Sequence, residues 1–124
     1  NLMSGEIVET GDVTKVRVAA GKGVITANIP TQTSDQGRTV NVGIRPEDMI
    51  PTDEENYAFA GRVEIVEALG EVTQLYFEKP SQGSQAVIGK LQGIHADAKG
   101  AVMQMTADPA KIHLFAEGQS LLYR

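Results

Sequence analysis

The stretch Thr39-Val-Asn-Val-Gly-Ile-Arg45 alternates along its whole length between apolar residues and polar or small ones. Successive side chains of a β-strand point to opposite faces, so a strand here has one apolar face and one polar face. The apolar face carries Val40, Val42 and Ile44. This pattern predicts a strand that is buried on one side and meets solvent on the other.

The same two-residue period recurs along most of the chain, and no stretch has the 3.6-residue period of a long amphipathic helix. The further apolar sets are Val16, Val18 and Ala20; Ala101, Met103 and Met105; and Ile112 and Leu114, which oppose His113 and Phe115. Turn signals separate them at Gly21-Lys-Gly23, Pro80-Ser-Gln-Gly83 and Gly118. Many short strands joined by such turns predict an all-β fold, either a barrel or a sandwich, with only short helical turns.

The composition is that of one small globular domain covering residues 1–124, with 41% hydrophobic and 22% charged residues. Cysteine is absent, which excludes disulfides and thiolate metal sites. Lys and Arg number 11 against 16 Asp and Glu, and the net charge of -5 argues against nucleic acid as a partner. The sequence has neither a signal-peptide pattern nor an apolar run that could insert into a membrane.

The segment Arg45-Pro46-Glu47-Asp48 directly follows the first strand and has two interpretations. Pro46 favours an extended Arg45 and suits the first position of a short helical turn, where Glu47 and Asp48 lie beside free amide donors. Alternatively, Arg45 and Glu47 lie on a contact surface, because a planar guanidinium forms bidentate pairs with a partner's carboxylate. Both interpretations stand at this point.

Catalytic and metal-binding patterns are absent from the sequence. His95 and His113 are too few for a histidine-based metal site, and Gly21-Lys-Gly23 lacks the flanking residues of a phosphate-binding Walker A loop. We therefore expect no catalytic, cofactor or metal site in this chain. His113 alternates outward and is expected to be a surface imidazole. The candidate interaction surface comprises Arg45, Glu47, Asp48 and His113.

Four blocks of sequence, in order along almost the whole chain, share the pattern of one protein family. They are Asn1-Leu2, Gly43 to Glu47, Gly61 to Tyr76, and Ala107 to Phe115. The matching residues include Gly43, Ile44, Arg45, Pro46 and Glu47, and then Gly61, Glu67, Leu69, Gly70 and Thr73. The chain thus resembles the TOBE (transport-associated OB) domain that follows the nucleotide-binding domain in ATP-binding subunits of maltose-type and glycerol-phosphate-type ABC importers.

This resemblance implies an OB-like barrel that serves as the regulatory and dimerisation domain of a sugar-type importer ATPase. An ATPase domain, which binds ATP and magnesium, would then precede Asn1 in a longer chain. The implied partners are a second copy, the importer's membrane subunits and, in some members, a regulatory protein. The implied location is the cytoplasm, peripheral to the inner membrane.

A second hypothesis is a freestanding module that binds a small oxyanion such as molybdate, as related TOBE domains do. It predicts a tetrahedral anion held by backbone N–H groups and by Ser, Thr or Lys side chains. The chain length and the Asn1-Leu2 junction favour the importer hypothesis.

Overall fold

The computed structural model describes residues 1–79 and 86–123, and eleven β-strands lie in that part of the chain. The strands are β1 Leu2–Glu9, β2 Thr14–Val18, β3 Ile25–Ala27, β4 Thr39–Gly43, β5 Ile50–Pro51, β6 Phe59–Ala68, β7 Val72–Phe77, β8 Ile88–Gln92, β9 Val102–Thr106, β10 His113–Ala116 and β11 Gln119–Ser120. Short 3₁₀ turns lie at Thr33–Asp35, Pro46–Asp48, Ala96–Ala98, Pro109–Lys111 and Leu121–Tyr123. The predicted all-β class with only short helical turns is confirmed. The turn predicted at residues 80–83 lies outside the described residues.

The strands form two curled sheets whose described pairs are all antiparallel. The six-stranded sheet has the order β11-β10-β4-β1-β2-β3, and the five-stranded sheet has the order β5-β9-β6-β7-β8. In the first sheet β4 lies between β1 and β10, with Gly43 opposite Leu2 on one side and His113 on the other. This register brings three separate segments of the sequence together at the end of β4.

The hydrophobic core lies between the two sheets and follows the predicted alternation. Val40, Val42 and Ile44 are at most 3% exposed, which confirms the inner face predicted for the strand that begins at Thr39, now β4. The alternation predicted around β2 and β10 is also confirmed, because the core includes Val16, Val18, Ile112 and Leu114, with Ala20 packed against it. Around β9 it holds for Met103 and Met105, whereas Ala101 precedes the strand and is exposed, so its predicted place on the inner face is wrong.

Two sets of hydrogen bonds join the sheets and close the barrel. At one seam the backbones of Lys22 and Tyr57 exchange two hydrogen bonds of 3.0 Å, and the Ala60 N–H donates to Ala20. At the other seam the Asn1 side chain bonds both backbone groups of Ile88: its Nδ2 donates to the carbonyl at 2.7 Å, and its Oδ1 accepts from the N–H at 2.9 Å. The predicted OB-like barrel is confirmed.

The turn predicted at Gly118 is a two-residue hairpin loop between β10 and β11. Glu117 and Gly118 have φ values of 53° and 81°, the left-handed conformation that a type I′ turn requires at both positions. Glycine adopts it at little steric cost, whereas glutamate does not. The sequence therefore suits this turn at Gly118 but not at Glu117.

Candidate functional site

The segment after β4 forms the predicted short turn. Arg45 is extended, with φ −67° and ψ 148°, and Pro46 occupies the first position of the 3₁₀ turn Pro46–Asp48. The Asp48 N–H donates to the Arg45 carbonyl at 2.9 Å and so closes the turn. The local interpretation of this segment is correct as far as the backbone goes. Glu47 and Asp48 lie in the first turn, as the local interpretation predicts, and the Arg45 side chain makes no cap bond.

A shallow groove of about 270 Å³ lies where β1, β4 and β10 end side by side. Leu2, Gly43 and His113 form a row across the three strands, and directly opposed residues of a sheet share one face. The row lies on the outer face, because the neighbouring Val42 and Ile44 point into the core. The groove is lined by Asn1, Leu2, Gly43, Ile44, Arg45, Pro46, His113 and Phe115.

Gly43 sets the shape of the groove floor. A Cβ at this position would lie 2.8 Å from Cε2 of Phe115 and 3.4 Å from Cδ2 of Leu2, closer to the ring than real carbon contacts come. The missing side chain therefore lets the Phe115 ring lie over the β4 backbone. The His113 and Phe115 rings are 6.4 Å apart and tilted by 31°, so the imidazole stands at the edge of this apolar floor.

The groove combines an apolar floor with a charged rim. Leu2 is 53% exposed, and Arg45 and Glu47 are both exposed. Within residues 1–79 and 86–123, neither Arg45 nor Glu47 forms an ion pair. An exposed apolar floor beside an exposed guanidinium is suited to a peptide or protein segment that offers an apolar side chain and a carboxylate.

The structure brings together some of the predicted surface residues and not others. Arg45 and His113 line the same groove, although they are 68 positions apart in the sequence. Glu47 and Asp48 lie in the adjoining turn and do not line it. Leu2 was missed by the sequence analysis, because an apolar residue at the start of a strand has no signal that distinguishes outward from inward.

Gly61, in the third family block, makes room for an aromatic pair in the core. A Cβ here would lie 2.7 Å from Cζ of Phe59 and 3.5 Å from Cδ1 of Phe77. The two rings meet edge to face, with centroids 5.0 Å apart and an interplanar angle of 72°. Glycine is thus required by packing at this position.

Thr73, a matching residue of the same family block, anchors the loop that follows β8. Its side chain is buried, and Oγ1 donates to the Gly93 carbonyl at 2.7 Å while accepting from the His95 N–H at 3.2 Å. This position is a structural one, because both bonds lie within the fold. Between Gly61 and Thr73 the same block turns outward: Glu67 is exposed, Leu69 is 45% exposed, and Gly70 forms the β6–β7 turn with φ 83°.

Across the described ranges, no three His, Asp or Glu side chains are grouped closely enough to hold a metal ion. The described residues also contain no helix with the length and apolar character needed to cross a membrane.

Comparison with known proteins connects this fold to sugar importers. A sequence profile of the TOBE domain matches residues 42–115. The alpha-glucoside transport ATP-binding protein AglK of Rhizobium meliloti is 44% identical over 97% of this chain and 33% of its own length. The maltose/maltodextrin import ATP-binding protein MalK of Shigella flexneri is 32% identical over 72% of this chain and 24% of its own. The chain therefore spans about a third or less of the length of these relatives.

Among solved structures, the cytoplasmic molybdate-binding protein ModG, crystallised with molybdate bound, superposes with a TM-score of 0.66. The superposition covers 92% of this chain and 94% of the ModG chain. The sequence identity is 12%, so this likeness shows a shared fold alone.

Proposed function

The chain belongs to the TOBE domain family, and from this premise we propose that it is the regulatory and dimerisation domain of the ATP-binding subunit of an ABC importer for sugars or related solutes. The observation that carries the proposal is the match to AglK over 97% of this chain. AglK and MalK are named as ATP-binding proteins of alpha-glucoside and maltose/maltodextrin transport.

In this proposal residues 1–124 carry out no chemistry of their own. ATP and magnesium bind to the ATPase domain that precedes Asn1, and the parent chain contacts the importer's membrane subunits from the cytoplasmic side. The present domain keeps two ATPase subunits together while their nucleotide sites open and close.

The groove beside Arg45 is the proposed docking site for a regulatory protein. A regulator that prefers the open arrangement of the ATPase subunits lowers the population of the closed, hydrolysing arrangement by its difference in affinity for the two. The apolar floor of Gly43 and Phe115 supplies contact area, and Arg45 with His113 supplies directional contacts at the rim.

Truncation of the natural polypeptide tests the proposal. We expect the intact polypeptide to sediment as a dimer without nucleotide, and a version that ends before Asn1 to sediment as a monomer that still binds ATP. A nucleotide-free dimer that persists without residues 1–124 would remove the dimerisation role. Calorimetric titration of the intact polypeptide with molybdate provides the contrasting test, since tight binding there would support the oxyanion-binding hypothesis instead.

A further inference from the structure

The outer face of β6, β7 and β8 exposes apolar as well as polar side chains. Thr73, Leu75 and Phe77 of β7 are at most 2% exposed and point into the core, so Gln74 and Tyr76 between them point outward. Nε2 of Gln74 donates to Oη of Tyr76 at 2.7 Å, which is consistent with both side chains lying on one face. The solvent face of an antiparallel sheet is ordinarily polar, whereas this one also exposes an isoleucine, Ile65, which is 52% exposed.

Strand register arranges the outward residues in two rows of three. Directly opposed residues share a face, so Ile65, Tyr76 and Ile88 form one row across β6, β7 and β8. The second row, Glu67, Gln74 and Lys90, lies beside it and crosses the same strands in the same order. We define the β6–β8 face by these six residues: Ile65, Tyr76, Ile88, Glu67, Gln74 and Lys90.

An irregularity in β6 brings Ile65 onto this face. The register shifts between Val63 and Ile65, so that Val63 pairs with Phe77 on the core side and Ile65 pairs with Tyr76 on the outer side. A β-bulge of this kind redirects the side chains that follow it. Ile65 is 52% exposed as a result. Leu69, in the turn beyond the strand, extends the exposed apolar surface.

The two rows are self-complementary under a two-fold rotation. An axis parallel to β7 and lying above it exchanges β6 with β8 and leaves each row in place. Ile65 then faces Ile88 of the partner subunit, and Tyr76 faces the partner subunit's Tyr76. In the second row Glu67 faces Lys90 of the partner subunit, and the same pair repeats on the other side of the axis.

The charges fit this arrangement. Glu67 and Lys90 lie two strands apart in one chain, about 10 Å across the sheet. Among the described residues neither of them forms an ion pair. Two sheets that pack face to face lie about 10 Å apart, a distance that a glutamate and a lysine side chain together span.

We propose that the β6–β8 face is the surface on which a second copy of this chain docks, through a two-fold axis that runs along β7. This proposal rests on the dimerisation role proposed above and names its contact surface. Neighbouring sheets that pack in this way keep their strands within about 30° of each other, which preserves the opposition of the central rows.

The face is small for a stable interface. Three strands wide and, with the extension to Leu69, five residues long, it covers about 14 by 17 Å, a few hundred Å² per copy, whereas a standard stable interface buries about 800 Å² per partner. The contact is therefore weak in isolation and gains strength where the ATPase domains hold two copies close together. The natural polypeptide is for this reason the right material for the test.

Charge reversal in the natural polypeptide tests the two-fold arrangement. Glu67→Lys and Lys90→Glu each place like charges opposite each other twice, and each is expected to weaken nucleotide-free dimerisation at least about 10-fold in sedimentation velocity. The double variant Glu67→Lys with Lys90→Glu restores both pairs and is expected to return to within about 3-fold of the unmodified protein. Arg17→Glu, an exposed change on β2, serves as the matched control and leaves dimerisation unchanged.

Crosslinking gives an independent measure. Gln74 lies on the proposed axis, which brings this position in one copy next to the same position in the other. In a background without other reactive cysteines, a short bis-maleimide should therefore crosslink two copies of a Gln74→Cys variant into a covalent dimer. Arg17→Cys should not be.

Two results would overturn the proposal while the dimerisation role survives: single charge reversals that leave the dimer intact, or a double variant no better than the weaker single one. Loss of affinity for a different protein, with dimerisation unchanged, would likewise assign the face to that protein. A dimer that forms without residues 1–124 is a separate result, because it removes the dimerisation role itself.

Discussion

Replacement of Thr73 by valine should destabilise the domain through one buried hydroxyl. Valine matches threonine in shape and lacks the oxygen that donates to the Gly93 carbonyl at 2.7 Å and accepts from the His95 N–H at 3.2 Å. A typical intramolecular hydrogen bond contributes about 0.5–1.5 kcal/mol net, and an unsatisfied buried group costs about 1–3 kcal/mol.

The expected loss of stability lies in the lower part of the range for an unsatisfied buried group. Gly93 is exposed, so water replaces part of the bond that its carbonyl loses, whereas His95 is half-buried. We expect Thr73→Val to lower the free energy of unfolding by about 1–2 kcal/mol. Thr73→Ser is the matched control, because it keeps both bonds and loses one methyl group, at a cost of about 0.8 kcal/mol.

Urea unfolding and amide hydrogen exchange together separate the two variants. Both should unfold with an unchanged dependence on urea concentration, since neither alters the surface exposed on unfolding. The His95 amide should exchange faster in Thr73→Val and remain protected in Thr73→Ser. The reasoning is refuted if Thr73→Val is as stable as the unmodified protein and its His95 amide is still protected.

Four further changes have expected outcomes. Glu117→Asn should raise the free energy of unfolding by about 0.5–1 kcal/mol in calorimetry, because asparagine tolerates the left-handed backbone better than glutamate does; a lower stability would contradict this. Gly61→Ala should lower it by about 1–3 kcal/mol in urea, because the new methyl group collides with the Phe59 ring; a neutral result would mean that the ring moves aside. Asn1→Asp should cost about 1–2 kcal/mol and speed exchange of the Ile88 amide, because a carboxylate oxygen replaces the donor to the Ile88 carbonyl; unchanged exchange would show that this seam holds without it. Arg45→Glu should weaken regulator inhibition of sugar uptake at least about 10-fold; full inhibition in that variant would exclude the groove.

Local pattern predicts the strands of this fold where the backbone is regular. The alternation in β4 and β10 identifies both the buried residues and the outward His113, because a regular strand leaves each side chain only one face. The β6 strand shows the limit of this reasoning. Strict alternation from Val63 would bury Ile65, but the register shift turns it outward, and no residue in the segment signals a shift of this kind.

The local sequence pattern does not predict contacts between distant segments either. The groove forms because β4 pairs with both β1 and β10, and no periodicity within one strand specifies its neighbours. The bonds between Asn1 and Ile88 join residues that are 87 positions apart. The family resemblance singled out Gly43 and Gly61 without giving a reason, and the structure supplies one, because the rings of Phe115 and Phe59 occupy the space of the missing side chains.

The two surfaces proposed here lie on different sheets, and this separation bears on regulation. The groove lies at the ends of β1, β4 and β10, and the β6–β8 face lies on the other sheet, so a regulator and a second copy do not compete for one site. Asn1 nevertheless belongs to both regions: it lines the groove, and its side chain holds the backbone of Ile88 in the first row of the β6–β8 face. A regulator that shifts Asn1 therefore changes a strand of the proposed dimer contact directly. Reciprocity of binding energies then requires that dimerisation alter the affinity for the regulator by the same factor.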